Sequence, residues 1–169
     1  GALYIVDMYR EIIEDYSAVP RFLQQQYGLN KGKEYGRIWR LRPKGKALAL
    51  KGNPGKATVK ELAQALADDN PWRRSTAQRV LIERNDRSAR DPLARMIQAE
   101  GVAPSGVVRA LQALRSLKSL KSSDVLVALN HEDHGVRVHG LRLAGPWLDS
   151  DEALRSQLTR MSRDPDPRV

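Results

Sequence analysis

Three groups of residues in this sequence have the types and spacing to do chemistry. Asp7, Tyr9 and Arg10 set an acid beside a phenol and a guanidinium, a combination that can orient a sugar or a cofactor. The plainer reading is a structural ion pair at a strand end, because paired charges there are ordinary. His131 and His134 flank Glu132 and Asp133, so two imidazoles and a carboxylate could meet one metal ion. No fourth ligand accompanies them, so turn and cap roles are expected, with no metal; His139 falls on the following helix as a packing or surface residue. The third group is a set of arginines, Arg73, Arg74, Arg79, Arg109, Arg115, Arg137 and Arg142, with Trp72 and Trp147 at helix edges. Such a set can line a protein-binding face, or grip phosphates while the rings stack on bases. Trp72 and Trp147 are expected to close grooves between repeats, and Trp39 to pack beneath its strand. No Gly-x-Gly-x-x-Gly, Walker or Gly-x-Ser-x-Gly pattern is present. No catalytic residue is therefore expected in this chain taken alone.

Composition narrows the classes further. The 169 residues contain no cysteine, which excludes disulfides, thiolate zinc sites and covalent haem attachment within them. No apolar run reaches the roughly 20 residues of a membrane helix. The net charge of +9 is unevenly spread. Residues 31–56 carry nine Lys or Arg against Glu34 alone, whereas residues 58–169 carry 18 basic and 15 acidic residues. The basic run, KGKALALKGNPGK, is broken by Gly45, Gly52, Pro54 and Gly55 and reads as a solvated linker over 44–57.

These residues must be positioned by two kinds of element. Residues 2–9 are β-branched and aromatic and predict a strand, with Tyr4, Val6 and Met8 on one face and Leu3, Ile5 and Asp7 on the other. Residues 36–41 predict a second strand. Between them, 11–16 and 19–27 predict short helices, broken at Pro20 and stopped at Gly28. Two strands do not make a stable sheet by themselves.

The stretches ALYIVDMYR and GRIWRLRP, with Gly1 to Arg10 and Gly36 to Arg40 as the best matches, resemble the closing blade of the β-propeller in membrane-bound dehydrogenases of planctomycete-type bacteria. Those propellers are similar to the sorbosone and glucose dehydrogenase type. The resemblance runs from Gly1 to Arg42. It implies an exported parent protein working outside the cytoplasm, with a haem or quinone-type cofactor located elsewhere in that parent and none in these residues. It also implies that Asp7, Tyr9 and Arg10 contribute to a propeller site of the parent.

From Thr58 the period becomes helical. Leu62, Ala63, Leu66 and Ala67 line a helix that opens on the capping box Thr58-x-x-Glu61 and ends near Asp69. Pro71 suits the first turn of the next, whose inward positions are Ala77, Val80 and Leu81. Leu93, Met96 and Ile97, then Val108, Leu111 and Leu114, then Val125, Leu126 and Leu129, then Val138, Leu141 and Leu143, and finally Leu154, Leu158 and Met161 continue the pattern. Trp72-Arg73, Val108-Arg109, Val136-Arg137 and the terminal Val169 align as corresponding points of a repeating unit. Self-similarity at such a period means stacked helix pairs. The unit resembles a HEAT repeat, through Asp69-Asn70-Pro71-Trp72-Arg73, Asp133-His134-Gly135-Val136-Arg137 and Asp164 to Val169. The acid is expected to cap the second helix and the Arg to pair with an acid of a neighbouring repeat.

The expected architecture is mainly α: a HEAT-like α-α superhelix of about three and a half repeats over 58–169, behind a small β/α propeller remnant over 1–43. The chain is expected to be a piece of a longer protein. Its expected role is a non-enzymatic scaffold that binds a protein partner, or other domains of the same chain, on the concave face of the second helices. Arg73, Arg74, Arg79, Arg109, Arg137 and Arg142 are the candidate contacts. A nucleic-acid-binding module is the alternative, and the modest charge of the repeat region argues against it.

Overall fold

The computed structural model describes residues 2–9, 18–27, 32, 34–45 and 52–169. The expected helix over 11–16, the Gly28 stop and Arg10 lie outside these residues, as does the middle of the expected linker. The protein is mainly α and divides into two compact units, Gly1–Leu50 and Lys51–Val169.

In the first unit, strand β1 (Leu3–Asp7) pairs antiparallel with β2 (Arg37–Leu41), Leu3 opposite Leu41 and Asp7 opposite Arg37. Directly opposed residues share a face, so Leu3, Ile5, Asp7, Arg37, Trp39 and Leu41 lie together. Tyr4, Val6, Ile38 and Arg40 lie on the reverse. Helix α1 (Arg21–Tyr27) begins after Pro20, whose carbonyl accepts from the Leu23 and Gln24 amides. Pro20 therefore starts this helix instead of breaking it, because a proline's missing N–H costs nothing at a helix N-terminus. Trp39 does not pack beneath its strand. It is 49% exposed, and its indole instead reaches across to Asp7.

The second unit is a stack of helix hairpins. One layer holds α2 (Val59–Ala65), α4 (Arg90–Gln98), α6 (Ser122–Leu129) and α8 (Glu152–Met161). The other holds α3 (Pro71–Arg84), α5 (Pro104–Ser116) and α7 (His134–Leu143). Neighbouring helices touch both within a hairpin and along a layer. Most helix starts have a local cause. Thr58 and Glu61 form the full capping box on α2. Asn70, Asp133 and Asp151 cap α3, α7 and α8 through their side-chain oxygens. In α6 the cap comes from inside, as the Lys121 amide donates to Asp124 Oδ2 at 2.9 Å. The segment before α2 belongs to this unit too: Pro54–Lys56 form a 3₁₀ turn, and Arg84 donates to the carbonyls of Gly55 and Ala57.

The core runs between the layers. Leu62, Leu66, Leu81, Leu93, Leu111, Leu114, Leu129 and Leu154 are all fully buried. Each such side chain stabilises the fold by about 1.5–3 kcal/mol. The expected inward positions are all buried in α3 and in part in each of the other helices, with Ala67, Met96, Leu141 and Leu158 half-buried. In α5, however, Val107 is the buried residue and Val108 is only half-buried, and Leu126 and Val138 are likewise half-buried. Gly140 lets α7 lie on α6: a Cβ there would stand 3.1 Å from Leu129 Cδ2 and 3.2 Å from its backbone nitrogen. Gly140→Val should therefore lower stability by about 1–3 kcal/mol, as overpacking does, read as a lower melting temperature. An unchanged melting curve would contradict this close approach.

Candidate functional site

The turns entering the second helices repeat one piece of geometry. The Arg74 guanidinium donates Nη1 to the carbonyls of Asp68 and Asp69, just upstream in the turn. The Arg137 guanidinium does the same to His131 and Glu132. In the equivalent turns Asp68, His131 and Asp164 accept from the amides of Asn70, Asp133 and Asp166 at 2.9–3.0 Å. Arg137 thus corresponds to Arg74, not to Arg73 as expected from the Val-Arg match. Pro71, Pro104, His134 and Pro167 occupy equivalent places at a nearly even spacing. The Val-Arg pair of α5 comes later in its helix than that of α7, so aligning the two pairs misplaces the register.

This register accounts for the arginine pairings. Arg137 forks onto Asp164 of the next repeat, Nε and Nη2 each 2.8 Å from a carboxylate oxygen. The Arg137 hydrogen bond lowers the Asp164 pKa, helped by the Asp166 amide. For Arg74 the equivalent acid position in the next repeat is Gly101. Its Nε is buried with no hydrogen-bond partner. Arg73 pairs instead with Asp68 inside its own repeat at 2.8 Å. Arg109 reaches back to Gln78 Oε1 at 2.7 Å, and Arg79 pairs along its own helix with Glu83. A rung not foreseen joins the first layer: Arg90 Nη2 lies 3.0 Å from Asp124, a carboxylate 1% exposed. Nothing in the sequence distinguishes Asp124 from a solvated first-turn acid.

Arg142 stands apart from these. Between α5 and α7 runs a groove on the side away from the first layer. Ser105, Val108 and Gln112 from α5 and Gly135 and His139 from α7 line one end of it, with a volume of about 470 Å³. These positions recur at helical spacing and continue to Arg115 on α5 and Arg142 on α7. There a second hollow of about 260 Å³ adds Lys118, Leu120, Pro146 and Trp147. The side chains of Gln112, Arg115, Lys118 and Arg142 make no hydrogen bond or ion pair to another described residue. His139 Nδ1 is buried in the groove wall without a partner. Lys118 holds φ at 52° in a turn that closes α5, where the Ser119 amide donates to the Leu114 carbonyl. Glycine is the usual residue at that position, and any other costs about 1–2 kcal/mol there. Trp147 is half-buried in this hollow, whereas Trp72 is 64% exposed and closes no groove.

The remaining candidates are engaged locally. Asp7 accepts from the Trp39 indole at 3.0 Å and from the Tyr9 amide at 2.9 Å. These bonds, with the Arg37 charge, lower its pKa. Acid–base work at neutral pH needs the opposite shift. Tyr9 turns the chain with φ at 49°, its ring edge-on to Tyr35, and the Arg37 guanidinium stacks on both Tyr9 and Trp39. Gly32, at φ 84°, packs so tightly on the Tyr9 carbonyl that no Cβ fits. His131 is engaged by the Asp133 amide, and His134 lies 3.6 Å from Asp166. Among the described residues, no group of three potential ligands could hold a metal.

A family model described as a domain of unknown function, DUF7133, matches residues 1–45, the stretch that contains β1, α1 and β2. No curated protein and no solved structure matches the chain.

Arg137→Ala should leave Asp164 without its guanidinium and lower the melting temperature by a few degrees at pH 7. A carboxylate with a depressed folded pKa stabilises above its unfolded value, near 3.9, and loses that contribution as pH falls through the folded value. The difference between wild type and variant should therefore be largest at pH 7 and shrink as the pH falls through the folded Asp164 value, leaving the pH-independent part that the Arg137 bonds to the His131 and Glu132 carbonyls contribute. A pH-independent difference, or none, would remove the rung.

Proposed function

We propose that the helical unit is a non-enzymatic scaffold that holds a protein, or another domain of the same polypeptide, along the groove between α5 and α7. The observation that carries this reading is the contrast in bonding. Arg73, Arg74, Arg109 and Arg137, around the second-helix starts, are engaged by carboxylates, carbonyls or amide oxygens within the unit. Along the groove, Gln112, Arg115, Lys118 and Arg142 keep their bonding capacity open. A rigid wall with open donors and acceptors suits an extended segment that brings its own polar groups. The HEAT-like pattern supports the same role, since stacked repeats commonly present an extended concave face to partners.

The resemblance of residues 1–42 to a dehydrogenase propeller blade supports placing this scaffold in an exported dehydrogenase-like parent. It would belong to the same polypeptide as the module that carries the haem or quinone-type cofactor. Asp7 is read as structural in this picture, because both of its oxygens are occupied by Trp39 and Tyr9.

The test is co-purification and cross-linking mass spectrometry on the protein as cells produce it. Gln112→Trp fills the middle of the groove, and Lys60→Trp on exposed α2 is the control. Gln112→Trp should remove the associated protein, or the intrachain cross-links to the groove, with an unchanged melting temperature. Retention of both would contradict the reading. Retention of nucleic acid with a steep salt dependence would favour the phosphate-binding alternative.

A further inference from the structure

We propose that the hollow formed by Arg115, Lys118, Arg142 and Trp147 is the anchor point for an acidic protein segment that carries an aromatic or large apolar side chain. This rests on the groove reading above and names the partner's chemistry.

Four observations converge on it. Three cations line one hollow of about 260 Å³, and no acid lines it. None of the three is paired with a carboxylate among the described residues, and all three line the one hollow. The floor is apolar: Leu120 and Trp147 are half-buried and Pro146 completes the wall. Lys118 occupies a left-handed backbone position that glycine would fill without strain.

Arg115 and Arg142 each sit in the last turn of a helix, where a cation offsets the helix dipole. That accounts for two charges. It accounts neither for a left-handed lysine joining them nor for Trp147 lining the same hollow. A strained residue at a binding hollow is a recurrent feature of functional sites.

Size and surroundings select a peptide over a nucleic acid. The hollow admits one or two side chains, not a tracked phosphate backbone. Asp149, Asp151 and Glu152 follow Trp147 closely in the chain and would repel a polyanion running past it. Carboxylates on a flexible segment can meet the three cations while avoiding that acidic edge. The attached ring or aliphatic group then covers Trp147, which gains a stacking or apolar contact.

The experiment is a ¹⁵N NMR titration of the 169-residue protein with two tetrapeptides, Ac-Glu-Glu-Phe-Glu-NH₂ and Ac-Gln-Gln-Phe-Gln-NH₂. The Trp147 indole signal is assigned by its loss in Trp147→Phe. The acidic peptide should move that signal and the Arg115 and Arg142 Nε signals, and the glutamine peptide should not. Lys118→Gly should weaken binding by about two- to fivefold, the worth of an exposed charge pair, with an equal or higher melting temperature. That combination separates binding from folding. Arg142→Gln should weaken binding similarly. No movement with the acidic peptide, equal responses to both peptides, or undiminished binding by Lys118→Gly would overturn the proposal. So would a thymidine homopolymer that moves the same signals at lower concentration. If the acidic peptide fails while Gln112→Trp still strips the associated protein, the anchor chemistry falls and the groove reading stands.

Discussion

A hairpin built from helices as short as α2, with seven residues, and α3, with 14, cannot bury its apolar stripe unaided. The whole helical unit depends on that deficit. Each pair completes its core only against the next, through α2 on α4, α4 on α6 and α6 on α8 in one layer, and α3 on α5 and α5 on α7 in the other. Small residues set how closely the layers meet. Gly106 lies against Ala67 and Met96, and Gly140 lies against the backbone of α6. Hydrophobic burial supplies the driving force here, and the glycines and alanines fix the spacing at which it is realised.

The polar turns serve this stack. Helices α3 and α7 start in turns where a side chain accepts from a backbone amide two residues on, and an arginine satisfies the carbonyls the turn leaves open. The device is complete at Arg137, which also reaches Asp164. It is incomplete at Arg74, whose Nε is buried without a partner and whose aligned acid position in the next repeat is Gly101. It is absent from α5, which opens on Pro104 with no side-chain cap. The repeats therefore share a plan but differ in how fully polar bonds reinforce it. The third and fourth are joined by a forked ion pair, and the first and second by packing and Arg109.

Much of this was legible beforehand. The capping box at Thr58, the start at Pro71 and the inward positions Ala77, Val80 and Leu81 follow from local chemistry and the helical period. Two neighbouring arginines concealed the register. Arg73 and Arg74 are indistinguishable by composition, and only the carbonyls each one reaches show which corresponds to Arg137. The buried Arg90–Asp124 pair was equally hidden, because its partners are far apart in the chain and each resembles an ordinary surface charge. Arg79, Arg109, Arg137 and Arg142 form one set by residue type alone. Of these, Arg109 and Arg142 line the α5–α7 groove, whereas Lys118, Gln112 and His139 enter it with no signal beyond their helical spacing. The backbone angle of Lys118 is invisible to any pattern of residue types. Trp39 and Trp72 were expected in packed positions, and both stand largely exposed.

The stack therefore has a packed interior, second-helix turns tied by Arg74 and Arg137, and a groove between α5 and α7 where Gln112, Arg115, Lys118 and Arg142 have no partner among the described residues. Their clustering in one groove is the basis for the proposal that the α5–α7 face is the working surface of the unit. The most direct test is site-specific photo-cross-linking in cells that produce the protein, with the reactive group placed at Gln112 in the groove or at exposed Arg95 on α4. Mass spectrometry would identify what each position captures. The expected result is one defined protein segment, rich in acidic residues, captured from position 112 and not from position 95. Equal capture from both positions, or capture from 95 alone, would contradict the assignment of this face.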